Sequence, residues 1–297
     1  MSEAAKGLIL ILLSAVCFSA KAVLVKLAYR EITDSVTVLA LRMVFSAPFF
    51  AVLFYLNREK WKKADLKFKD YLSLASLGIL GYYLSSLFDF IGLEYITASL
   101  ERLILYTYPS LVALINWLFY RRKPGKREYI SLALTYIGVF LIFSEIKWDN
   151  RSNSTGIFFV FLCSLTYAVY VARIENIIRK LGAVLTSSAA LIISAFAIVV
   201  HFLLTRDIML LTKISPAAYE ITAVMAVIST VIPTILFSSG LKKIGSGKAA
   251  IASTLGPVST IIMAYFILGE KVSTLELSGS VFIIYGILLL GKKKEGD

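Results

Sequence analysis

The sequence predicts an all-α polytopic membrane protein in which ten transmembrane helices form two inverted five-helix repeats. Three observations carry this prediction. Apolar residues come in blocks of roughly 20, the length of helix that crosses the ~30 Å hydrocarbon core of a bilayer. The chain matches itself when it is shifted by 148 residues. Basic residues concentrate in every second connection between the apolar blocks.

The apolar blocks dominate the composition. Of 297 residues, 58% are hydrophobic and the mean hydropathy is +0.80, whereas soluble domains contain roughly 45–50% apolar residues. Only helices and closed barrels satisfy their backbone in lipid, and these blocks lack the alternation of barrel strands. The first block, from Gly7, is long and carries Lys21 and Lys26, so we interpret it as a span and not as a cleaved signal. The composition leaves no soluble domain of any size.

Each span is placed, in chain order, on one apolar block. The first repeat is assigned to residues 1–144 and the second to residues 155–297, with the polar segment 145–154 as the linker between them. The predicted spans are Gly7–Tyr29, Ser35–Leu56, Tyr71–Gly92, Thr97–Tyr120, Tyr129–Ser144, Thr155–Ala172, Val184–Leu204, Pro216–Ser239, Ser246–Leu268 and Leu275–Leu290.

The basic residues predict the orientation. With the N-terminus in the cytoplasm, 21 of the 31 Lys and Arg residues fall in inside segments and 6 in outside segments. This bias and the even number of spans place both termini in the cytoplasm, and the plasma (inner) membrane is the expected location. The lysines and arginines behind the net charge of +12 lie mostly between the apolar blocks. The charge therefore indicates topology and gives no reason to expect a nucleic-acid partner.

The self-match defines the repeat. Each copy contains five predicted spans, and copies with an odd number of spans must insert in opposite orientations, which is the usual frame of a secondary transporter. Pro109 and Pro257 are expected to break the same helix in both copies, since proline removes a backbone donor and kinks a span. The matched pairs are Gly92 with Gly240, Pro109 with Pro257, Lys123 with Lys271 and Gly138 with Gly286.

With the repeats in place, the chain resembles the drug/metabolite transporter superfamily, in particular its proteins with two EamA domains. The resemblance covers nearly the whole chain. Its motifs are Leu41-Arg42, the stretch GLEYITASLERLILYTYPSLVALI from Gly92 to Ile115, and the stretch GPVSTIIMAYFILGEKVS from Gly256 to Ser273. It implies a transporter, but it leaves the substrate open among amino acids, sugars, nucleotide sugars, amines and drugs. The first copy departs from the pattern, because Arg121-Arg122-Lys123 stands where the second has Gly269-Glu270-Lys271.

Five ionisable side chains inside the predicted spans stand out, because a charge there is costly and needs a structural or functional reason. Their spans place all five in the outer half of the first repeat: Lys21, Arg42, Asp89, Glu101 and Arg102. In one interpretation they pair with each other and seal or orient the helices. In the other they line the outer part of a cavity, where they bind solute or act as a gate. Three cations face two anions, and the unbalanced cation would suit a carboxylate or other anionic group on the solute.

Further polar side chains share helix faces at steps of three or four and predict a cavity with apolar walls and a few polar groups. Packing between helices is the competing explanation for each of them. The candidates are Tyr82, Tyr108, Tyr167, Tyr170 and Thr234. The single histidine, His201, cannot form a metal site alone, and we expect neither a metal nor a cofactor.

The predicted function is therefore a secondary transporter, expected to export a small metabolite or amino acid by alternating access between the repeats. Coupling to protons or to a counter-solute, and the oligomeric state, stay open. No G-x-x-x-x-G-K-[ST] motif is present, so ATP hydrolysis by that route is excluded. The alternative is a membrane-embedded enzyme or flippase that acts on lipid-linked groups. The lack of H-E-x-x-H and G-x-S-x-G motifs argues against catalysis.

Overall fold

The computed structural model describes residues 2–32, 34–120, 126–145, 151–237, 239–240, 243–244 and 255–291, and all regular structure within these ranges is helical. The α-helices are α1 (Glu3–Ala28), α2 (Ser35–Leu56), α3 (Arg58–Lys63), α4 (Phe68–Leu77), α5 (Ser85–Tyr95), α6 (Ala98–Leu105), α7 (Tyr108–Tyr120), α8 (Lys126–Glu145), α9 (Arg151–Leu181), α10 (Ala183–Thr205), α11 (Pro216–Ala226), α12 (232–237), α13 (Leu255–Met263) and α14 (Thr274–Gly291). Between them lie a 3₁₀-helix, Ile208–Lys213, and π-helical segments Gly78–Leu84, Val227–Val231 and Ala264–Leu268. Arg121, Arg122, Lys123 and most of the first half of the predicted ninth span lie outside the described residues.

Seven helical stretches in the described chain are long and apolar enough to cross a membrane. They are Glu3–Ala28, Ser35–Leu56, Phe68–Tyr95, Ala98–Phe119, Asn153–Ile174, Ala183–Thr205 and Pro216–Phe237. Leu255–Leu268 and Thr274–Gly286 are shorter apolar helices, and α8 contains the predicted fifth span. The chain is therefore a multi-pass helical membrane protein. Where a predicted end falls on described residues, the helix end lies within a few residues of it, except in the sixth span.

The sixth predicted span, Thr155–Ala172, is part of a longer helix. Helix α9 continues through a polar stretch to Leu181, where it ends at Gly182 with a φ of +80°. Glycine adopts this left-handed conformation without the steric cost that a Cβ would add. Near the helix end, Lys180 Nζ lies 2.6 Å from Asp70 Oδ2 at the start of α4. The sequence prediction stopped at the edge of the apolar block, whereas the helix itself extends beyond it.

Two of the π-helical segments occupy corresponding places in the repeats. A shift of 148 residues moves Gly78–Leu84 onto 226–232, which contains Val227–Val231. In the first copy, the Ser85 hydroxyl donates to the Gly81 carbonyl at 2.9 Å. The corresponding residue in the second copy is Pro233, which has no N–H to donate to the preceding turn. Both copies thus depart from regular α-helix at the same place, and such π segments are frequent at functional sites.

The matched glycines Gly92 and Gly240 both lie at close helix contacts. A Cβ on Gly92 would lie 2.4 Å from Val160 Cγ2 on α9, and one on Gly240 would lie 2.8 Å from the Ile11 side chain on α1. Small residues allow such close approach where lipid gives no hydrophobic drive for association. Each glycine therefore packs against the first helix of the other repeat.

Glu270 joins the second repeat to the start of α6. Its Oε1 accepts from the Ala98 N–H at 2.8 Å, and its Oε2 accepts from the Ser99 N–H at 3.1 Å and the Ser99 hydroxyl at 2.9 Å. A carboxylate at a helix N-terminus satisfies orphan N–H groups and complements the positive end of the helix dipole. The preceding residue, Gly269, has a φ of +70° and turns the chain out of the helix. Glu270 is thus a capping residue from a distant part of the chain.

We expect Glu270→Ala to lower the free energy of unfolding by about 1–2 kcal/mol, because the N-terminal groups of α6 lose their acceptors. Thermal unfolding of the purified protein measures this change. Lys271→Ala is the control, since this neighbouring side chain is exposed. Equal melting temperatures for the two variants would show that the cap contributes nothing.

A second cross-repeat contact joins α2 to the end of α10. Arg206 donates to both carboxylate oxygens of Asp34, at 2.6 Å from Nη2 and 3.0 Å from Nε, and Asp34 also caps α2 through the Thr37 N–H at 2.9 Å. Partial burial opposes ionisation of Asp34, but the hydrogen bonds from Arg206 and Thr37 outweigh it and lower the pKa of the carboxyl group. The pair therefore stabilises the folded chain while Asp34 is ionised.

This pair predicts a pH-dependent stability difference. Because the Asp34 pKa is lower in the folded state, its contribution is complete above the ordinary value of about 3.9 and is lost as the pH falls through the lowered value. We expect Arg206→Met to reduce stability at pH 7 by about 0.2–1 kcal/mol, the range for partly exposed pairs, and the reduction to shrink near pH 3. Melting temperatures at both pH values test this, with the exposed Arg30→Met as control. A deficit that is the same at both pH values would contradict it.

Candidate functional site

Four of the five predicted intramembrane charges meet where α1, α5 and α6 pack together. Lys21 Nζ lies 2.7 Å from Asp89 Oδ2 and 3.9 Å from Glu101 Oε1, and Arg102 Nε lies 3.6 Å from Glu101 Oε2. Asp89 and Glu101 are 0% exposed, whereas the Lys21 side chain is 16% exposed. One ammonium group therefore serves two buried carboxylates and is the most accessible member of the group. We call these four residues the charge cluster.

The charge cluster is held from both repeats. Arg102 Nη2 donates to the Phe18 carbonyl at 3.3 Å, and the Cys163 thiol on α9 lies 4.0 Å from Asp89 Oδ1. The Ser19 hydroxyl donates to the Gly256 carbonyl at 2.7 Å, which fixes α1 against α13. The cluster therefore lies where helices of the first repeat meet helices of the second.

Arg42 is not paired within the charge cluster, although Asp89 attracts it from a longer distance. Its Nη2 donates to the Ser86 hydroxyl at 3.0 Å, and its Cζ lies 4.9 Å from the centre of the Phe90 ring, within the range of a cation–π contact. Among the described residues, no carboxylate oxygen lies within 4.0 Å of the Arg42 guanidinium, and its buried Nε has no hydrogen-bond partner. The unbalanced cation expected from the sequence is thus Arg42.

The fourth span is interrupted at Tyr106–Thr107, between α6 and α7. Pro109 is the second residue of α7, a position in the first helical turn where proline is tolerated. The Thr107 hydroxyl donates to the Ile104 carbonyl at 2.8 Å, and the Ser164 hydroxyl on α9 donates to the Leu105 carbonyl at 3.3 Å. Irregular backbone at membrane depth needs such partners within the protein. Pro257 is the third residue of α13, and the residues before that helix lie outside the described ranges.

The four predicted tyrosines form one row together with Tyr106. Successive ring centres are 6.1 Å apart from Tyr106 to Tyr108, 5.0 Å to Tyr167, 5.5 Å to Tyr170 and 5.1 Å to Tyr82, within the spacing of interacting aromatic pairs. The Tyr170 hydroxyl donates to that of Tyr82 at 2.9 Å. The row begins one turn after Arg102 and ends one turn before Ser86. It therefore connects the charge cluster with the surroundings of Arg42.

Gly81 makes room for one end of this tyrosine row. A Cβ at Gly81 would lie 2.1 Å from Tyr170 Cδ2 and 2.3 Å from its Cγ. These distances are shorter than any ordinary carbon contact, so a larger residue would displace the ring. The π-helical segment Gly78–Leu84 thus presents both Tyr82 and the glycine against which Tyr170 packs.

Thr234 and His201 have hydrogen-bond partners outside the charge cluster and the tyrosine row. In the part of the chain that is described, the Thr234 hydroxyl bonds within its own helix, to the Thr230 carbonyl at 2.6 Å. His201 Nδ1 shares a hydrogen bond of 2.9 Å with the Tyr83 hydroxyl. Over the described residues, no three His, Cys, Asp or Glu side chains are grouped as a metal site would require.

Three partners in this region were not among the residues predicted from the sequence. Phe90 contacts Arg42, Tyr106 extends the tyrosine row, and Ser164 satisfies the interrupted backbone. Phe90 had a signal in the sequence, because Tyr82, Ser86 and Phe90 recur at steps of four on one face of the third span. Ser164 had none, since it lies 59 residues away from Leu105 along the chain.

Comparisons with known proteins give matches over nearly the whole chain. The model of the EamA-like transporter family matches residues 5–144 and 154–292. "Uncharacterized transporter YcbK" of Bacillus subtilis (strain 168) is 28% identical, over 98% of this chain and 97% of that protein. "Uncharacterized transporter sll1319" of Synechocystis sp. (strain ATCC 27184 / PCC 6803 / Kazusa) is 22% identical, over 97% of this chain and 94% of its own. A crystal structure with 13% identity superposes on the fold with a TM-score of 0.65 and covers 100% of this chain and 99% of that one.

Proposed function

Because the chain belongs to the EamA-like transporter family, we propose that it is a secondary transporter which exports a small metabolite or amino acid. Ten spans form two inverted five-helix repeats, and alternating access between them moves the solute. Both termini lie in the cytoplasm, and the protein resides in the plasma (inner) membrane.

One observation carries the proposal: buried charges and an interrupted span meet where the two repeats pack together. Lys21, Asp89, Glu101 and Arg102 lie beside the break at Tyr106–Thr107, and residues of the second repeat contact both. Broken helices and ionisable groups between repeats are the usual setting for solute sites in transporters. The paired π-helical segments and the paired contacts of Gly92 and Gly240 support a two-fold relationship between the copies.

In this proposal the charge cluster and Arg42 bind or gate the solute, and the tyrosine row forms one wall of its path. The buried acids Asp89 and Glu101 are candidates for proton coupling, while exchange against a counter-solute is the other route. The alternative enzyme or flippase requires acids or histidines that face a loop. Asp89 and Glu101 instead lie within spans at 0% exposure.

Counterflow in proteoliposomes tests the proposal. Vesicles with purified protein are loaded with unlabelled amino acid, sugar, amine or nucleotide derivative, and uptake of the labelled compound is followed. A carrier gives transient, saturable accumulation that depends on the internal compound. Chemical conversion of a compound without its movement would favour the enzyme, and linear, non-saturable flux would favour a channel.

A further inference from the structure

Arg42 is a buried cation that forms no ion pair with any described carboxylate. The residue is 4% exposed, and Nη2 has a neutral partner, the Ser86 hydroxyl. A guanidinium carries five N–H donors in a planar fork. The buried Nε has no partner among the described residues, and the Phe90 ring covers part of one face of the group. Over the described residues, most of the hydrogen-bonding capacity of this side chain is therefore unused.

The neighbouring acids form no ion pair with Arg42, although Asp89 attracts it from beyond 4.0 Å. Asp89 Oδ2 is bound by Lys21 at 2.7 Å, and Glu101 lies between Lys21 and Arg102 at 3.9 and 3.6 Å. By formal charge, two cations and two carboxyl groups balance within the charge cluster. The third cation, Arg42, lies outside it, and burial of an unpaired guanidinium is unfavourable unless an anion joins it.

From this imbalance, and resting on the proposed carrier function, we propose that Arg42 binds an oxyanion of the transported solute. The shared ligand chemistry is a planar or tetrahedral oxyanion, a carboxylate or a phosphate monoester, which accepts two hydrogen bonds from the guanidinium fork. The solute is accordingly a small organic anion.

The surroundings of Arg42 also indicate what the rest of the solute is like. Ser86 and Phe90, its two contacts, lie on the same face of the third span as Tyr82, at steps of four residues. Tyr82 is the last member of the tyrosine row. A solute whose oxyanion lies on Arg42 therefore places its carbon skeleton along an aromatic surface, which favours an apolar or aromatic body over a polyhydroxylated one.

Matched probes test the assignment on the intact chain. Melting temperatures are measured with phenylacetate, phenyl phosphate and the neutral analogue phenylacetamide, and with acetate and inorganic phosphate, all at equal ionic strength. We expect the organic anions to raise the melting temperature and phenylacetamide to have no effect. A larger melting-temperature shift with phenylacetate than with phenyl phosphate identifies a carboxylate solute. The reverse order identifies a phosphate solute.

Variants connect the effect to Arg42. Arg42→Gln should weaken anion binding about tenfold or more. Arg42→Lys keeps the charge without the guanidinium fork, so its affinity for the anions should lie between those of wild type and Arg42→Gln. Arg58→Gln is the matched control, because Arg58 also rests on an aromatic ring, 3.7 Å from the centre of Tyr55, but at the surface. If Arg42→Gln fails to fold, phenylglyoxal labelling of the wild-type protein, mapped by mass spectrometry, replaces it. The anions should protect Arg42 and phenylacetamide should not.

The outcomes distinguish failure of the anion site from failure of the proposed carrier function. The site is overturned if no anion stabilises the protein more than its neutral partner, or if Arg42→Gln binds the anions as wild type does. Saturable counterflow of neutral probes alone would keep the carrier and overturn the anion site. Anion binding that requires Arg42, without counterflow of any probe, would keep the site and count against the carrier.

Discussion

Replacement of Lys21 by alanine is expected to lower the free energy of unfolding by about 3–5 kcal/mol, the cost of removing one partner from a buried ion pair. The change would leave Asp89 and Glu101 fully buried without the ammonium group that both of them face. Chemical or thermal unfolding in detergent measures the effect. Lys62→Ala is the control, since Lys62 is paired with Glu59 at 3.1 Å but is 64% exposed, and exposed pairs contribute little. A Lys21→Ala protein as stable as the control would show that the cluster is not held by this charge.

The double variant Lys21→Met/Asp89→Asn separates sealing from solute binding. Removal of both members of the closest pair restores the charge balance, so we expect most of the lost stability to return. Transport that also returns would mean that the cluster only seals or orients the helices. Transport that stays absent in a stable protein would mean that these charges act on the solute or in gating.

The second large effect is expected at Gly81. Gly81→Ala places a methyl group 2.1 Å from Tyr170 Cδ2, and overpacking of this kind costs about 1–3 kcal/mol, sometimes more. It should also break the hydrogen bond between Tyr170 and Tyr82. A lower melting temperature and reduced transport are the expected results, because the tyrosine row and its π-helical support are both disturbed.

A double-mutant cycle provides the control for Gly81. In a Tyr170→Ala background the added methyl group meets no ring, so Gly81→Ala should cost far less than in the wild-type background. Costs that are equal in the two backgrounds would contradict the proposed contact.

Much of the helical frame could be predicted from the sequence. Block length located the helices, and the 148-residue shift identified Gly92 and Gly240 before their contacts with α9 and α1 were visible. The four predicted tyrosines do lie together. Helical periodicity is enough for this, because it fixes which side chains share a face and because lipid imposes a minimum length on each span.

The remaining features depend on how helices that are distant in sequence pack together. Nothing near Ala98 indicates that Glu270 caps its helix, since the two residues are 172 positions apart. The sequence grouped five charges, but it could not show that Arg42 forms no ion pair with the other four. Which charges pair depends on the rotation of α2 relative to α5, and a hydrophobic pattern leaves this rotation open when a helix is buried on most of its surface.

The short helix α6 has a consequence for how the protein can be divided. Its start is held by Glu270 and its last carbonyl by Ser164, and both of these residues belong to the second repeat. In sequence, however, α6 belongs to the first repeat, and it carries Glu101 and Arg102. The contacts of α6 therefore do not follow the boundary of the duplication. A chimera that joins the first half of one relative to the second half of another would separate α6 from both of its anchors, whereas one that transfers 98–107 together with the second half would keep them.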